Sequence, residues 1–137
     1  MACVAYIFTR ADRRAVQDLI AAGASTVVVP GMIPLGCEPQ LLTLYRGSVD
    51  AAGYDPESGC ITRLNGLAEL HNRELRRALG GLRRAHPGTT IVFADLYRAV
   101  TDIIVSPREY GAHALQYCTH ATANRFLHFH ALFLIDS

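Results

Sequence analysis

Apolar positions between residues 60 and 84 recur at helical spacing. Ile61, Leu64, Leu67, Ala68, His71, Leu75, Ala78, Leu79 and Leu82 fall on one face, while Arg73, Arg76, Arg77, Arg83 and Arg84 lie elsewhere on the wheel. A stripe repeating every three or four residues predicts one long amphipathic helix. His86-Pro87-Gly88 ends it. Two other stretches have a different pattern. Residues 25–29 (STVVV) and 89–94 (TTIVFA) are short, unbroken and rich in β-branched side chains. Runs of this kind predict strands of a parallel sheet, which is normally covered on both faces. Asp95 follows the second strand. Residues 96–105 then read as a helix that stops before Ser106-Pro107, because a residue preceding proline is driven out of the helical region.

The beginning of the chain is less decided. Residues 3–8 (CVAYIF) are apolar and β-prone, and periodicity does not separate a strand from a buried helical turn over so few residues. Thr9-Arg10-Ala11-Asp12 has the form of a capping box, with a hydroxyl and a carboxylate three positions apart. Ala15, Val16, Leu19 and Ile20 follow at helical spacing, so a helix is expected over about residues 10–22. Gly23 suits its stop, since a residue without Cβ takes the left-handed conformation without strain. Three prolines and two glycines make residues 30–39 a loop; residues 40–49 leave room for a short helix, and residues 51–59 read as loop again. The order helix, strand, loop, helix, strand, helix indicates a βαβ unit in a parallel sheet, with a right-handed crossover. Residues 113–137 hold four of the six histidines and show no clear period. This tail is expected to pack poorly on the rest.

Composition adds mostly exclusions. A chain of 137 residues, half hydrophobic and 18% charged, fits one globular domain. A formal net charge of +1 gives no reason to expect nucleic acid or an anionic membrane as partner. No apolar run approaches the ~20 residues of a membrane span. The first nine residues lack the basic region and the length of a signal peptide, so the chain as read is expected to stay in the cytoplasm. Cys3, Cys37, Cys60 and Cys118 form no C-x-x-C pair, and spacing alone does not distinguish a disulfide framework from unrelated thiols. Cys118, His120, His128 and His130 invite a zinc reading, but structural zinc sites use tighter and more regular spacing. The expectation is therefore no metal and no cofactor. The arginines of the long helix, interleaved with Glu69 and Glu74, read as a solvated face.

A set of motifs in order along residues 11–111 resembles a known family. Residues 23–39 (GASTVVVPGMIPLGCEP) are similar to its segment GA-x-x-VVV-x-G-x-x-P-x-GC-x-P. Tyr54-Asp55-Pro56-Glu57-Ser58-Gly59-Cys60 resembles its YD-x-x-(T/S)-GC. Asn65, His71-Asn72, Leu75 and Leu79 match the helix that follows. His86-Pro87-Gly88, Phe93-Ala94-Asp95-Leu96-Tyr97 and Pro107-Arg108-Glu109-Tyr110-Gly111 complete the series. The ordered set is far more specific than any one piece. The family is the plant GDSL esterase/lipase group of the SGNH hydrolases. The resemblance implies an α/β fold, a three-layer α/β/α sandwich around a parallel sheet. Here that fold is expected to be partial and truncated, with residues 1–10 and 112–137 departing from the family.

The resemblance also implies a chemistry. Such enzymes cleave small esters or lipids by acyl transfer. A serine in a Gly-Asp-Ser context is the nucleophile, a glycine and an asparagine form the oxyanion hole, and an Asp-x-x-His supplies acid and base. Neither Gly-Asp-Ser nor Asp-x-x-His occurs in these 137 residues. A serine hydroxyl is a weak nucleophile without an adjacent base, and each oxyanion donor is worth roughly 10²–10³ in rate. No catalytic residue is therefore assigned, and the chain is expected to be inactive. Cys37 and Cys60, both in matched motifs, look like a disulfide in an oxidising compartment such as members of this usually secreted family meet; in a cytosolic chain they would be two free buried thiols. Asp95 lies where ligands bind in open α/β sheets, yet an N-cap is the plainer role. Asn65, His71 and Asn72 are expected to be solvated or hydrogen-bonded in the core. A rival to the enzyme-family reading is an interaction segment that associates, with itself or a complementary piece, through an exposed sheet edge.

Overall fold

The computed structural model describes residues 2–111, with side chains from residue 8 onward. The expectations for residues 112–137, including Cys118, His120, His128 and His130, lie outside the described residues. Helix α1 (Ala2–Ala21) leads into strand β1 (Thr26–Pro30). A short α2 (Pro39–Leu44) and a loop precede the long α3 (Thr62–Ala85), strand β2 (Thr90–Ala94) and α4 (Leu96–Val105). Single 3₁₀ turns stand at Leu35–Cys37, Ala51–Gly53 and Pro107–Tyr110.

The start of α1 corrects the expectation of a helix beginning near residue 10. The helix continues back to Ala2, so Thr9 is an interior, buried position and Thr9–Asp12 is no capping box. The strand alternative for residues 3–8 falls with it. A lone strand without a neighbour leaves its backbone N–H and C=O groups unpaired, whereas a helix pairs its own. The far end of α1 behaves as expected. Gly23, at φ +96°, ends the helix. Its N–H donates to Ile20 O (3.0 Å) and the Ala24 N–H to Leu19 O (3.1 Å). This is the paired Schellman arrangement, which satisfies carbonyls the helix would otherwise leave open.

β1 and β2 are parallel neighbours, paired Thr26↔Thr90, Val27↔Ile91, Val28↔Val92, Val29↔Phe93 and Pro30↔Ala94. Parallel strands need a crossover, and α3 provides it. Val27, Val29 and Ile91 face one side of the sheet and are buried against Leu75, Leu79 and Leu82 of α3 and Val16 of α1. Leu75 and Leu79 have no exposed surface. Each buried leucine contributes roughly 1.5–3 kcal/mol relative to exposure. Arg83 reinforces the packing by donating Nε–H to Ile91 O (2.8 Å).

The other side of the sheet differs from the double burial expected of both strands. Val28 is 60% exposed and Val92, directly opposite it, 42%. Side chains alternate across a strand, and α1 and α3 both occupy the same face. Leu19, counted on the apolar side of α1, is also half exposed. No helix among the described residues is long and apolar enough to cross a membrane.

Candidate functional site

The carboxyl ends of β1 and β2 carry the segments singled out in the sequence. In open α/β sheets this is the edge where ligands bind. The chain leaving β1 passes close to its neighbours at two glycines, against side chains at the first and against backbone at the second. A Cβ on Gly31 would lie 2.6 Å from Phe93 Cζ, and one on Gly36 would meet the Ile61 carbonyl and lie 2.8 Å from Asn65 Oδ1. Both glycines are therefore explained by close approach.

Two asparagines of α3 hold this loop. Asn72, buried, accepts from the Met32 N–H (2.6 Å) and donates Nδ2–H to Met32 O (2.8 Å). Asn65 accepts from the Gly36 N–H (2.8 Å), and its Nδ2 lies 3.7 Å from Cys37 Sγ. The Gly36 carbonyl in turn accepts from Ile61 N (2.9 Å). Cys37 and Cys60 form a disulfide with Cα atoms 4.5 Å apart, and Cys60 is buried. The loop from β1 and the segment entering α3 are thus one cross-braced unit. Spacing along the sequence does not display these partnerships, since Asn72 and Met32 stand 40 positions apart.

Ahead of Cys60 the chain makes a tight turn. The Asp55 carboxylate accepts from both the Ser58 hydroxyl (2.6 Å) and the Ser58 N–H (2.8 Å). The Gly59 N–H returns to Asp55 O (2.8 Å), with Gly59 at φ +70°. The Ser58 hydroxyl, followed by its amide, holds the Asp55 carboxyl below its usual range by favouring the charged form. A depressed carboxyl pKa stabilises the fold above the unfolded chain's value, and that contribution fades as pH falls through the lower, folded value. In Ser58→Ala the titration of Asp55, followed by NMR, should move up toward the ordinary carboxylate range. An unmoved midpoint would remove the hydroxyl from this role.

Asp95 serves as the N-cap of α4, accepting from the Arg98 N–H (3.2 Å). It also pairs with Arg76, whose guanidinium lies 4.2 Å from the Phe93 ring centroid. Tyr97 donates its hydroxyl to Glu69 Oε1 (2.7 Å). Burial, and next the bond to Glu69, push the phenol's pKa up, so it remains a donor at every physiological pH. These residues line an open groove of about 440 Å³ between α3 and the start of α4. Its arginines are matched by acids. Arg76 meets Asp95, Arg77 and Arg73 share Glu74 (2.6 and 3.7 Å) and Arg98 lies 3.7 Å from Asp102. Exposed pairs of this kind contribute little stability.

The parts of an acyl-transfer centre are present as residue types but are not assembled. Ser58 engages Asp55 within its turn. His71, buried on α3, has Nε2 3.4 Å from Asp12 of α1, packs edge-on against Phe8 at 6.4 Å, and among the described residues has no hydrogen-bond partner for Nδ1. Among the described residues no serine hydroxyl bonds to an imidazole, and no cluster of three or more His, Cys, Asp or Glu could hold a metal. Asn65, His71 and Asn72 hold elements together, as expected of core hydrogen-bonding residues.

A parallel βαβ unit with a braced loop after its first strand and an acid-capped helix after its second is part of an α/β fold built on a parallel sheet. The chain belongs to the GDSL-like lipase/acylhydrolase family, whose model matches residues 6–125. It is 37% identical over 97 residues to the GDSL esterase/lipase At1g28590 of Arabidopsis thaliana, covering 71% of this chain and 24% of that protein. It is 38% identical over 102 residues to At1g28640, covering 74% and 26%, and 40% identical over 95 residues to At5g45910, covering 68% and 25%, both GDSL esterase/lipases of the same plant. The chain therefore spans about a quarter of the length of the curated relatives it matches. No solved structure matches it. The family is one of ester hydrolases of plant type, and the partial α/β fold with its parallel strand pair agrees with that membership.

Proposed function

We propose that these 137 residues are a scaffold segment of a GDSL ester hydrolase and carry out no acyl transfer by themselves. The observation behind this reading is that the serine–carboxylate pair Ser58–Asp55 and the imidazole–carboxylate pair His71–Asp12 are separate bracing contacts. Catalysis needs nucleophile, base and oxyanion donors in mutual reach. The absence of Gly-Asp-Ser and Asp-x-x-His from the sequence supports the same conclusion. The substrate class is that of the family, small carboxylic esters and lipids, and the segment contributes the floor of the fold on which catalytic segments act. The purified chain is expected to hydrolyse p-nitrophenyl acetate at the rate of a non-enzymatic protein control. Saturable turnover that a serine-directed fluorophosphonate abolishes would defeat the proposal.

A second reading is an interaction segment. The exposure of Val28 and Val92 on a sheet that is otherwise apolar favours it.

A further inference from the structure

We propose that the Cys37–Cys60 link is a reversible thiol–disulfide exchange site, opened at Cys37 by an external dithiol and closed again on a frame that holds without it. The site is independent of the scaffold reading. It lies in the loop after β1, and ester turnover by the chain would leave it untouched.

The two sulfurs have polar neighbours that a closed link does not use. Asn65 Nδ2, a donor, lies 3.7 Å from Cys37 Sγ, and Ser58 O, an acceptor, lies 3.6 Å from Cys60 Sγ. A disulfide sulfur carries no hydrogen to donate and accepts only weakly. The opened pair suits both neighbours. A Cys60 S–H donates to Ser58 O, and a Cys37 thiolate accepts from Asn65. A donor beside a sulfur favours its thiolate, which is the reactive form. Access points the same way, since Cys60 is 2% exposed and Cys37 is half-buried.

Hydrogen bonds close the same loop that the disulfide closes. The Gly36 N–H donates to Asn65 Oδ1 (2.8 Å), and Gly36 O accepts from the Ile61 N–H (2.9 Å). Each cysteine thus has a tied neighbour, Gly36 before Cys37 and Ile61 after Cys60. The Asp55 N–H donates to Cys60 O (2.8 Å), and the Cys60 N–H donates to Ser58 Oγ (3.3 Å). None of these bonds involves a sulfur. Opening the link therefore leaves two thiols side by side on a fixed frame, ready to close again.

Exchange proceeds by thiolate attack. A thiolate of the reductant attacks Cys37 Sγ and forms a mixed disulfide. The Cys37–Cys60 bond breaks, and Cys60 leaves with the electron pair and takes a proton from water. The reductant's second thiolate then attacks its own sulfur in the mixed disulfide, and Cys37 leaves as a thiolate beside Asn65. The reductant's dithiol is oxidised to a disulfide and the link is reduced. A disulfide oxidant runs the sequence backwards.

The test uses the full oxidised chain and a thioredoxin-type reductase whose second cysteine is replaced by serine. The expected result is a trapped mixed disulfide that peptide mapping places on Cys37. After reduction by dithiothreitol, iodoacetamide should alkylate Cys37 at least about tenfold faster than Cys60. Hydrogen exchange at the Gly36 and Ile61 amides should rise by less than about tenfold. Glutathione disulfide should then restore the Cys37–Cys60 link. Asn65→Asp keeps an acceptor for the Gly36 N–H but sets a carboxylate oxygen near Cys37. Its pH profile of Cys37 alkylation should move up by about one unit, a tenfold slower reaction at fixed pH, with helix content unchanged. A residue that only braced the loop would leave that profile in place. Trapping and alkylation use the native sequence and stand whether or not Asn65→Asp folds. Capture on Cys60, or no capture without denaturant, overturns the proposal. So do a hundredfold rise in exchange at Gly36 and Ile61, an unmoved profile in a folded Asn65→Asp, and reoxidation to links with Cys3 or Cys118.

Discussion

Leu79→Ala is expected to lower the stability of the fold by about 2–5 kcal/mol, the range for removing a buried leucine and leaving part of its cavity unfilled. Leu79 has no exposed surface and meets both strands and α1 in a single cluster. Small domains hold only about 5–15 kcal/mol in total, so the variant should unfold at much lower urea. Leu44, 70% exposed on α2, provides the control; Leu44→Ala should shift the midpoint hardly at all. Urea titrations followed by circular dichroism decide the matter, provided the slope is unchanged, since a changed slope signals a different unfolded or native state. Equal shifts for the two variants would mean that α3 does not organise the core.

Asn72→Ala should have a comparable effect through different physics. One side-chain amide satisfies both the N–H and the C=O of Met32, at 2.6 and 2.8 Å. Removing it strands two backbone groups in a half-buried place, at about 1–3 kcal/mol each. Asn72→Asp repairs only half of this, because a carboxylate accepts from the Met32 N–H but sets an oxygen against the Met32 carbonyl. Both variants are expected to speed hydrogen exchange at the Met32 amide and to lower the thermal midpoint. Unchanged exchange at Met32 in Asn72→Ala would show that the loop after β1 is held by its other contacts alone.

Much of the scaffold was legible because its signals were local and strong. The β-branched runs gave both strands, and their order around a long amphipathic helix gave parallel pairing. Gly23 ended α1 where its freedom at positive φ was needed. What escaped depended on neighbours that a linear pattern does not show. Residues 3–8 are equally apolar as strand or helix, and among the described residues no strand lies beside them to favour the first. The same missing neighbour shows in Val28 and Val92, whose composition asks for cover that the described residues do not provide. In the candidate site, Asp95 could be placed as a cap from its position before a helix, but its pairing with Arg76, 19 positions away, could not. The motif asparagines were recognisable by resemblance, while their work as braces became visible only with Met32 and Gly36 beside them.

The pairing of β1 with β2 also bears on how the chain reaches its native state. Every rung of that ladder joins residues more than sixty positions apart, from Thr26↔Thr90 onward. Contacts so distant require a large loss of chain freedom before they return any stability, and proteins dominated by them fold slowly. Helix α3, built from local contacts, can form within about a microsecond. The crossover it occupies also contains the Cys37–Cys60 link, which ties residues 23 apart and shortens the effective loop between the strands. Oxidation therefore gives the search a head start, and a refolding experiment begun from the reduced chain should lag behind one begun with the link intact. Until the strands meet, the valines of β1 remain open to other chains, so the slow step is also the one most exposed to aggregation.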